Sequence, residues 1–228
     1  MNSDYLLLIA ASIFSFTYFI STIQMLIKLC GSMPGNIAVS HNFNSFVLLI
    51  NKVLVSCAML LFALSADMTF NQINFAYCLI WFGAFTTLLH IYILTFPVAI
   101  MRIISILLVF YGNNQNKGIY FDEGFKFREF AVIPSVSMAF FLLGFTLPML
   151  FINTFPEFRS TIIQSSTILN GIGSILSVTM VEKRLATYID RGDIKDAVNY
   201  VNIVVSSRLL TSAIVTLMFT LIVMFEML

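Results

Sequence analysis

Three basic side chains, Lys52, Arg102 and Arg208, lie within or at the edge of long apolar stretches of this sequence. An ionisable group inside a bilayer costs about 2.5–3.5 kcal/mol on insertion scales, so it usually faces a partner or a watery cavity. Either arginine has a structural alternative, because it can extend its head group to the nearby membrane surface. Lys52 lies near the middle of its stretch, where that is harder. Buried cations of this kind predict the binding of an anion.

Neutral polar side chains accompany these cations at helical spacing. In the second apolar stretch they form a stripe beside Lys52, and the fifth and sixth stretches carry similar stripes. Interhelical hydrogen bonds, each worth about 0.6 kcal/mol, and close packing of small residues are the structural alternative. The members are His41, Asn44, Ser45, Asn51 and Ser56; then Gln164, Thr167, Asn170, Gly171, Ser174 and Ser177; then Asn202, Ser206, Ser207, Arg208 and Thr211.

Other chemistries receive less support from the residue types. The chain has two histidines and no cluster of a nucleophile with an acid or base, so we do not expect an enzyme. Cys30, Cys57 and Cys78 show no CxxC spacing, which argues against a disulfide framework or a zinc site, and we predict no cofactor or metal. We place no acidic residue deep in any apolar stretch. That pattern disfavours a proton carrier or a cation channel and favours an anionic substrate.

The composition defines the elements that must hold these residues. Hydrophobic residues make up 59% of the 228 residues and charged residues only 10%, against about 25% charged in soluble domains. A bilayer-spanning helix needs about 20 apolar residues. The sequence therefore predicts an all-α membrane protein, a single bundle of six transmembrane helices. The net charge of +1, with no basic block, argues against nucleic-acid binding.

The predicted spans are separated by breaker-rich or charged connections. The third apolar run is too long for one span, and Pro97 is the expected break because an interior proline removes a helix hydrogen bond. A kinked continuation from Val98 to Tyr111 then lies near the membrane surface. The predicted spans are 5–28, 37–66, 73–97 with the continuation 98–111, 130–152, 158–181 and 200–228.

The cations predict the orientation of this bundle, since cytoplasmic loops are enriched in Lys and Arg. Most of the 12 cations fall in the connections after the first, third and fifth spans, whereas the opposite side holds only Arg159. Both termini are therefore expected on the extracytoplasmic side. The polar stripes then share the cytoplasmic half and predict a hydrophilic, cationic cavity. The cations on the cytoplasmic side are Lys28, Lys117, Lys126, Arg128, Lys183, Arg184, Arg191 and Lys195.

From the second span onward the sequence resembles the Amj family of lipid II flippases, a bacterial group that does the same job as the unrelated MurJ flippases. The likeness is carried by segments in three spans. The sequence departs from the family pattern at Lys52-Val53-Leu54, where an arginine and polar residues are expected. It departs again at Val181-Glu182-Lys183, where Val-Asp-Pro is expected. The similar segments are Gly35–Ser40 with Phe43-Asn44 and Asn51-Lys52; Phe158–Thr161 with Gln164-Ser165 and Ile168–Ile175; and Ser207-Arg208.

The resemblance implies a flippase in the bacterial cytoplasmic membrane that moves lipid II, the undecaprenyl-pyrophosphate-linked peptidoglycan precursor, to the outer leaflet. A flippase gives the headgroup a wet, cationic path while the prenyl tail stays in lipid. Lys52 and Arg208 would bind the pyrophosphate, and Arg102 would act at the entrance. His41 adds to the polar stripe. The residues expected to bond the sugar are Asn44, Asn51, Gln164 and Asn170.

Two alternatives stay open at the level of sequence. A flippase for another polyprenyl-linked saccharide, such as an O-antigen or capsule precursor, would need the same physical features. A non-transporting membrane scaffold would also contain polar helix faces, but these faces would close on one another and leave no cavity.

Overall fold

A computed structural model describes residues 3–31, 37–67, 72–110, 131–152 and 155–226. Its elements in chain order are α1 (Ser3–Cys30), α2 (Ile37–Asp67), α3 (Gln72–Thr95), α4 (Pro97–Phe110), α5 (Val132–Ile152), a 3-10 turn (Pro156–Phe158), α6 (Arg159–Leu176), a π-helical segment (Ser177–Glu182), α7 (Lys183–Asp190) and α8 (Ile194–Glu226).

The prediction of an all-α protein is confirmed, because the described residues contain helices and turns but no strand. Within them, 5 helical segments are long and apolar enough to cross a membrane, which indicates a multi-pass membrane protein. They lie in α1, α2, α3, the continuous helix α6–α7, and α8. The apolar parts of α4 and α5 are shorter, at Pro97–Leu108 and Val132–Pro148.

The third apolar run is interrupted beside its proline. Helix α3 ends at Thr95, Phe96 forms a bend, and α4 begins at Pro97. Backbone hydrogen bonds continue across the bend, from Phe96 N–H to the Tyr92 carbonyl and from Ile100 N–H to the Phe96 carbonyl. Proline has no N–H to donate, so one helix hydrogen bond is missing at Pro97 and the chain bends there. The hydrogen bonds on either side of it are kept.

The fifth predicted span extends further than the sequence indicates. We expected it to end near Val181 and be followed by a charged connection, but the helix continues through the π-helical segment and α7 to Asp190. The first four residues of this stretch, Lys183–Ala186, are good helix formers, and Leu185 among them is buried. The chain reverses at Gly192, whose φ of 75° is in the left-handed region that glycine adopts without strain. Helix α8 then begins at Ile194, earlier than predicted.

Helix α1 forms the centre of the bundle. It packs along α2 on one side and α3 on the other; α8 packs on both α3 and α5, and α5 packs on α6. The order around the bundle is therefore α2, α1, α3, α8, α5, α6. Helices α2 and α6 are at the two ends of this order, and they approach each other where the Ser166 hydroxyl lies 3.6 Å from the Met59 sulfur.

Two hydrophobic cores lie at different levels of the bundle. In the first, the Phe145 ring has its centroid 4.5 Å from those of both Phe14 and Phe82. The second contains Leu26 and Ile93, further along α1 and α3. Between them lies a layer of buried polar side chains, which we call the polar layer: Thr22, Thr86, His90, Ser207, Arg208 and Ser212.

Candidate functional site

A cavity of about 600 Å³ lies between α2 and α6, with α1 behind it and Phe141 of α5 at one side. Its polar lining comes from four elements, and its apolar lining includes aromatic rings. We call this space the α2–α6 cavity. The residues that line it are Phe14, Thr17, Tyr18, Ser21, Gln24, Leu48, Asn51, Lys52, Val55, Ser56, Phe141, Asn170, Ser174, Ser177, Val178 and Glu182.

Lys52 contributes the cation that lines this cavity. The ion pair found within the described ranges joins Lys28 to Glu182. No described carboxylate lies within 4.0 Å of the Lys52 ammonium group. An ammonium has three hydrogen-bond donors and no acceptor. Lys52 is therefore available to an anion that enters the cavity.

Three carboxamides that line the cavity have atoms whose hydrogen-bonding capacity is unmet. Gln24 Nε2, Asn51 Oδ1 and Asn170 Oδ1 are buried and have no hydrogen-bond partner. A buried polar atom without a partner costs about 1–3 kcal/mol. These atoms are enclosed by neighbouring protein groups, so each side chain would have to rotate toward the cavity for a ligand there to supply the missing bonds.

Asn170 lies where α6 packs against α5. Its Nδ2 lies 3.4 Å from the Ser166 hydroxyl oxygen and donates to it. Its Oδ1 lies against Gly144 of α5, so closely that a Cβ added to this glycine would be 2.5 Å from that oxygen. Gly144 therefore makes room for the carboxamide of Asn170.

An acidic residue also lines the cavity, contrary to the sequence-based expectation that carboxylates stay in or beside loops. Glu182 ends the π-helical segment and forms an ion pair with Lys28 near the end of α1. The expectation was wrong because the helix continues past Val181 instead of ending there. The pair joins two walls of the cavity at that end.

Arg208 lies in the polar layer behind α1, and it is 2% exposed. Its NH1 group donates to Thr22 Oγ1 at 2.8 Å and to Ser21 Oγ at 3.0 Å. Because Ser21 also lines the cavity, the guanidinium is separated from that space by one hydroxyl group. Its charge therefore acts on the cavity through α1.

The polar layer continues from Arg208 to α3. His90 Nδ1 lies 2.8 Å from the Thr86 carbonyl, a contact in which this nitrogen must carry the proton. His90 Nε2 is then the acceptor and lies 3.3 Å from the Thr22 hydroxyl. Thr22 thus joins the arginine to a histidine whose hydrogen bonds explain its burial.

The eight predicted site residues are divided between the cavity and other surfaces. Lys52, Asn51 and Asn170 line the cavity, and Arg208 lies behind its wall. Asn44 is buried with its Oδ1 unpaired, but it does not line the cavity. His41, Arg102 and Gln164 are exposed and lie outside the lining. Lys52 is also exposed, although the sequence predicted a buried cation there, because it lines the open side of the cavity.

The third polar wall is a different helix from the one that the sequence favoured. The polar residues of α8 are buried in the polar layer or against α5, where Ser207 Oγ accepts a hydrogen bond from the Ala131 N–H at 2.9 Å. Helix α1 supplies the wall instead. Its polar lining residues Thr17, Ser21 and Gln24 recur four and three residues apart, a spacing that could have revealed this face in the sequence. Lys28 continues the face four residues further on, beyond the lining.

A second, smaller cleft of about 310 Å³ lies on the surface formed by the π-helical segment, α7 and the turn after it. It is basic, and Arg184 lies 5.3 Å from the centroid of the Tyr200 ring, a cation–π distance. Its lining residues are Met180, Lys183, Arg184, Thr187, Tyr188 and Arg191.

No family model, no curated protein and no solved structure matches this chain. The fold and the site together define a multi-pass membrane protein with a polar cavity between two of its helices.

Proposed function

We propose that this chain is a flippase for a polyprenyl-pyrophosphate-linked saccharide, with lipid II as its substrate, in the bacterial cytoplasmic membrane. The observation that carries the proposal is the α2–α6 cavity, whose mostly apolar walls hold a lysine and several neutral polar groups, between two helices that also expose apolar side chains. A lipid with a large polar headgroup needs this combination, because the headgroup requires polar contacts while the tail requires hydrocarbon.

The surfaces beside the cavity support a path for the tail. Only 11% of the residues in the most apolar window of α2 are buried, so most of this helix is available to lipid. Leu48 and Val178 both line the cavity and are 42% and 55% exposed. Leu49 and Ile175 continue the apolar surface on the same two helices. A prenyl chain can therefore lie against α2 and α6 while its headgroup lies inside.

The charges around the cavity favour an anionic headgroup. Lys52 lines it without a described carboxylate partner, Arg208 lies one hydroxyl away, and Lys28 is paired with Glu182. Among the described residues, three cations and one carboxylate therefore lie in or next to the cavity, and the balance of charge is positive. A pyrophosphate offers many acceptor oxygens to an ammonium or guanidinium group, and such charge-assisted hydrogen bonds are about twice as strong as neutral ones.

The proposed orientation has six spans, with α5 as one of them and both termini outside. The C-terminal end of α1, the N-terminal half of α2 and the π-helical segment then face the cytoplasm, where lipid-linked precursors are made. The basic residues of α7 lie on the same side, as the distribution of cations in multi-pass proteins requires. In this arrangement the cavity receives its substrate from the cytoplasmic leaflet.

The resemblance to the Amj flippases supports lipid II over other saccharides. The cavity itself favours a transporter over a scaffold, since a scaffold would leave no space between its polar helix faces. A flippase for an O-antigen or capsule precursor is the second candidate, because the same cavity would accommodate a related headgroup.

The test is rescue of cells depleted of their lipid II flippase, with lipid II accessibility at the outer surface as the readout. We expect rescue by the wild-type chain, loss of rescue with Lys52→Ala, and retention of much of it with Lys52→Arg. The matched control is Lys195→Ala, which removes an exposed cation outside the cavity. Wild-type rescue by Lys52→Ala would refute the cavity mechanism, and no rescue by a well-expressed wild-type chain would refute lipid II as the substrate.

A further inference from the structure

We infer that the α2–α6 cavity contains a carbohydrate subsite, formed by the carboxamides of Gln24, Asn51 and Asn170 and kept open by Gly144. This inference rests on the proposed function in taking the ligand to be the sugar of a lipid-linked headgroup. The subsite includes Gln24 of α1 and depends on Gly144, two residues that the sequence alone did not indicate as part of a binding site.

The unmet atoms determine which ligand chemistry fits. Asn51 Oδ1 and Asn170 Oδ1 are acceptors that need donors, and Gln24 Nε2 is a donor that needs an acceptor. A fully ionised phosphate has acceptor oxygens alone, so it can accept from a carboxamide nitrogen but cannot donate to a carboxamide oxygen. A sugar carries hydroxyl groups that donate and accept, and an acetamido sugar adds an N–H and a carbonyl.

The remaining lining is also suited to a sugar. Hydroxyl groups of Thr17, Ser21 and Ser174 line the same cavity, and the ring of Phe141 adds an apolar surface for the C–H groups of a pyranose. The volume of about 600 Å³ is within the usual range of about 300–1,000 Å³ for small-molecule sites. Mostly apolar walls with a few placed polar groups are typical of such sites.

Gly144 gives this subsite a feature that can be tested separately. A methyl group at this position would be 2.5 Å from Asn170 Oδ1 and 2.8 Å from its Cγ, so the carboxamide would have to move. Gly171, one residue beyond Asn170, has no atom within 4 Å of an added Cβ. Gly144→Ala therefore displaces Asn170 without changing its chemistry, and Gly171→Ala is the matched control.

The experiment measures binding calorimetrically with the full chain in lipid nanodiscs, after subtraction of empty nanodiscs. The probes are octyl N-acetylglucosaminide, below its micelle concentration, and octyl phosphate. We expect Asn170→Ala and Gly144→Ala to weaken binding of the glycoside about five- to tenfold, the loss of roughly one neutral hydrogen bond, and to leave phosphate binding unchanged. Gly171→Ala should bind both probes like the wild type.

A second variant covers the possibility that Gly144→Ala fails to fold. Asn51→Leu changes a half-buried residue of α2, away from the contact between α5 and α6, and should weaken glycoside binding by a similar factor. Unchanged glycoside affinity in Asn170→Ala and Asn51→Leu, or no binding of the glycoside by the wild type, would overturn the subsite. Phosphate binding without glycoside binding would overturn it while leaving the proposed function in place. Glycoside binding that these variants weaken, without rescue of depleted cells, would support the subsite and refute the proposed function.

Discussion

Arg208 is the largest of the fully buried side chains in the described chain, and its NH1 hydrogen bonds join α8 to α1. Hydrogen bonds to a charged group contribute about 1.5–3 kcal/mol each, and the hydroxyls that would lose their donor lie inside the bundle. The residue thus has a structural role in addition to the electrostatic one proposed for it.

Arg208→Ala should therefore destabilise the protein. It removes two hydrogen bonds and leaves a cavity between α1 and α8. A loss of about 2–3 kcal/mol corresponds to a fall in Tm of roughly 4–12 °C for a chain of this size. Thermal unfolding of the detergent-purified protein measures it. Arg102→Ala, at an exposed position of α4, is the control and should leave Tm unchanged. An unchanged Tm in Arg208→Ala would contradict the structural role.

At the scale of elements, the Lys28–Glu182 pair joins the end of α1 to the π-helical segment. Both side chains are partly exposed, at 31% and 26%, so the pair alone contributes little to stability. Because the pair lies at one end of the cavity, we expect it to fix the distance between α1 and the helix that continues α6.

Reversing the charge of either member of this pair should impair rescue of flippase-depleted cells, and the two variants should differ in how much rescue they lose. Glu182→Lys should be worse than Lys28→Glu, because Arg208 also attracts the carboxylate and would repel a lysine at this position. The double variant Lys28→Glu with Glu182→Lys should recover part of the activity by restoring an opposite-charge pair. If the double variant is no better than Glu182→Lys alone, the two residues do not act as a pair.

Helices α3 and α8 approach each other closely at Gly83. A Cβ there would be 2.3 Å from Thr216 Oγ1 and 3.1 Å from Thr216 Cα, so the backbone of α8 as well as a side chain would have to move. Small residues that allow such close approach are common between membrane helices.

Gly83→Ala should consequently lower stability. Overpacking costs about 1–3 kcal/mol, which predicts a fall in Tm of at least about 2 °C. Gly171→Ala adds the same methyl group in open space and should keep or slightly raise Tm, since alanine is the better helix former. Equal Tm values for the two alanine variants would show that α3 and α8 are not in close contact at this point.

At the scale of the whole molecule, the proposed orientation predicts the location of two sites. A reporter fused after Leu228 should lie outside the cell, so alkaline phosphatase fused there should be active and green fluorescent protein dark. A cysteine replacing the exposed Asp193, between α7 and α8, should react with a membrane-impermeant thiol reagent only after the cells are opened. The native Cys57 is also exposed and is replaced by alanine in this experiment. The opposite labelling pattern would invert the orientation and place the cavity on the outer side.

Composition and periodicity were sufficient for the coarse architecture. The excess of apolar residues requires helices that bury their own backbone bonds in lipid, and Pro97 cannot donate the bond that a straight helix would need. The stripes of α2 and α6 were recognisable because helical spacing brings Lys52 and Ser56, and separately Asn170 and Ser174, to one surface.

Residue types and their spacing are enough to predict the helical class, the bend beside Pro97 and the polar faces of individual helices. Which of those faces meet is set by the packing of the helices: α1 lines the cavity, α8 turns its polar face and Arg208 into the polar layer, and Glu182 reaches Lys28. Periodicity reports which side chains share one helix face, and it holds no information about the helix that this face will contact. That choice depends on packing between segments far apart in the chain, such as Gly144 against Asn170, where the fit of two surfaces decides the position of a carboxamide.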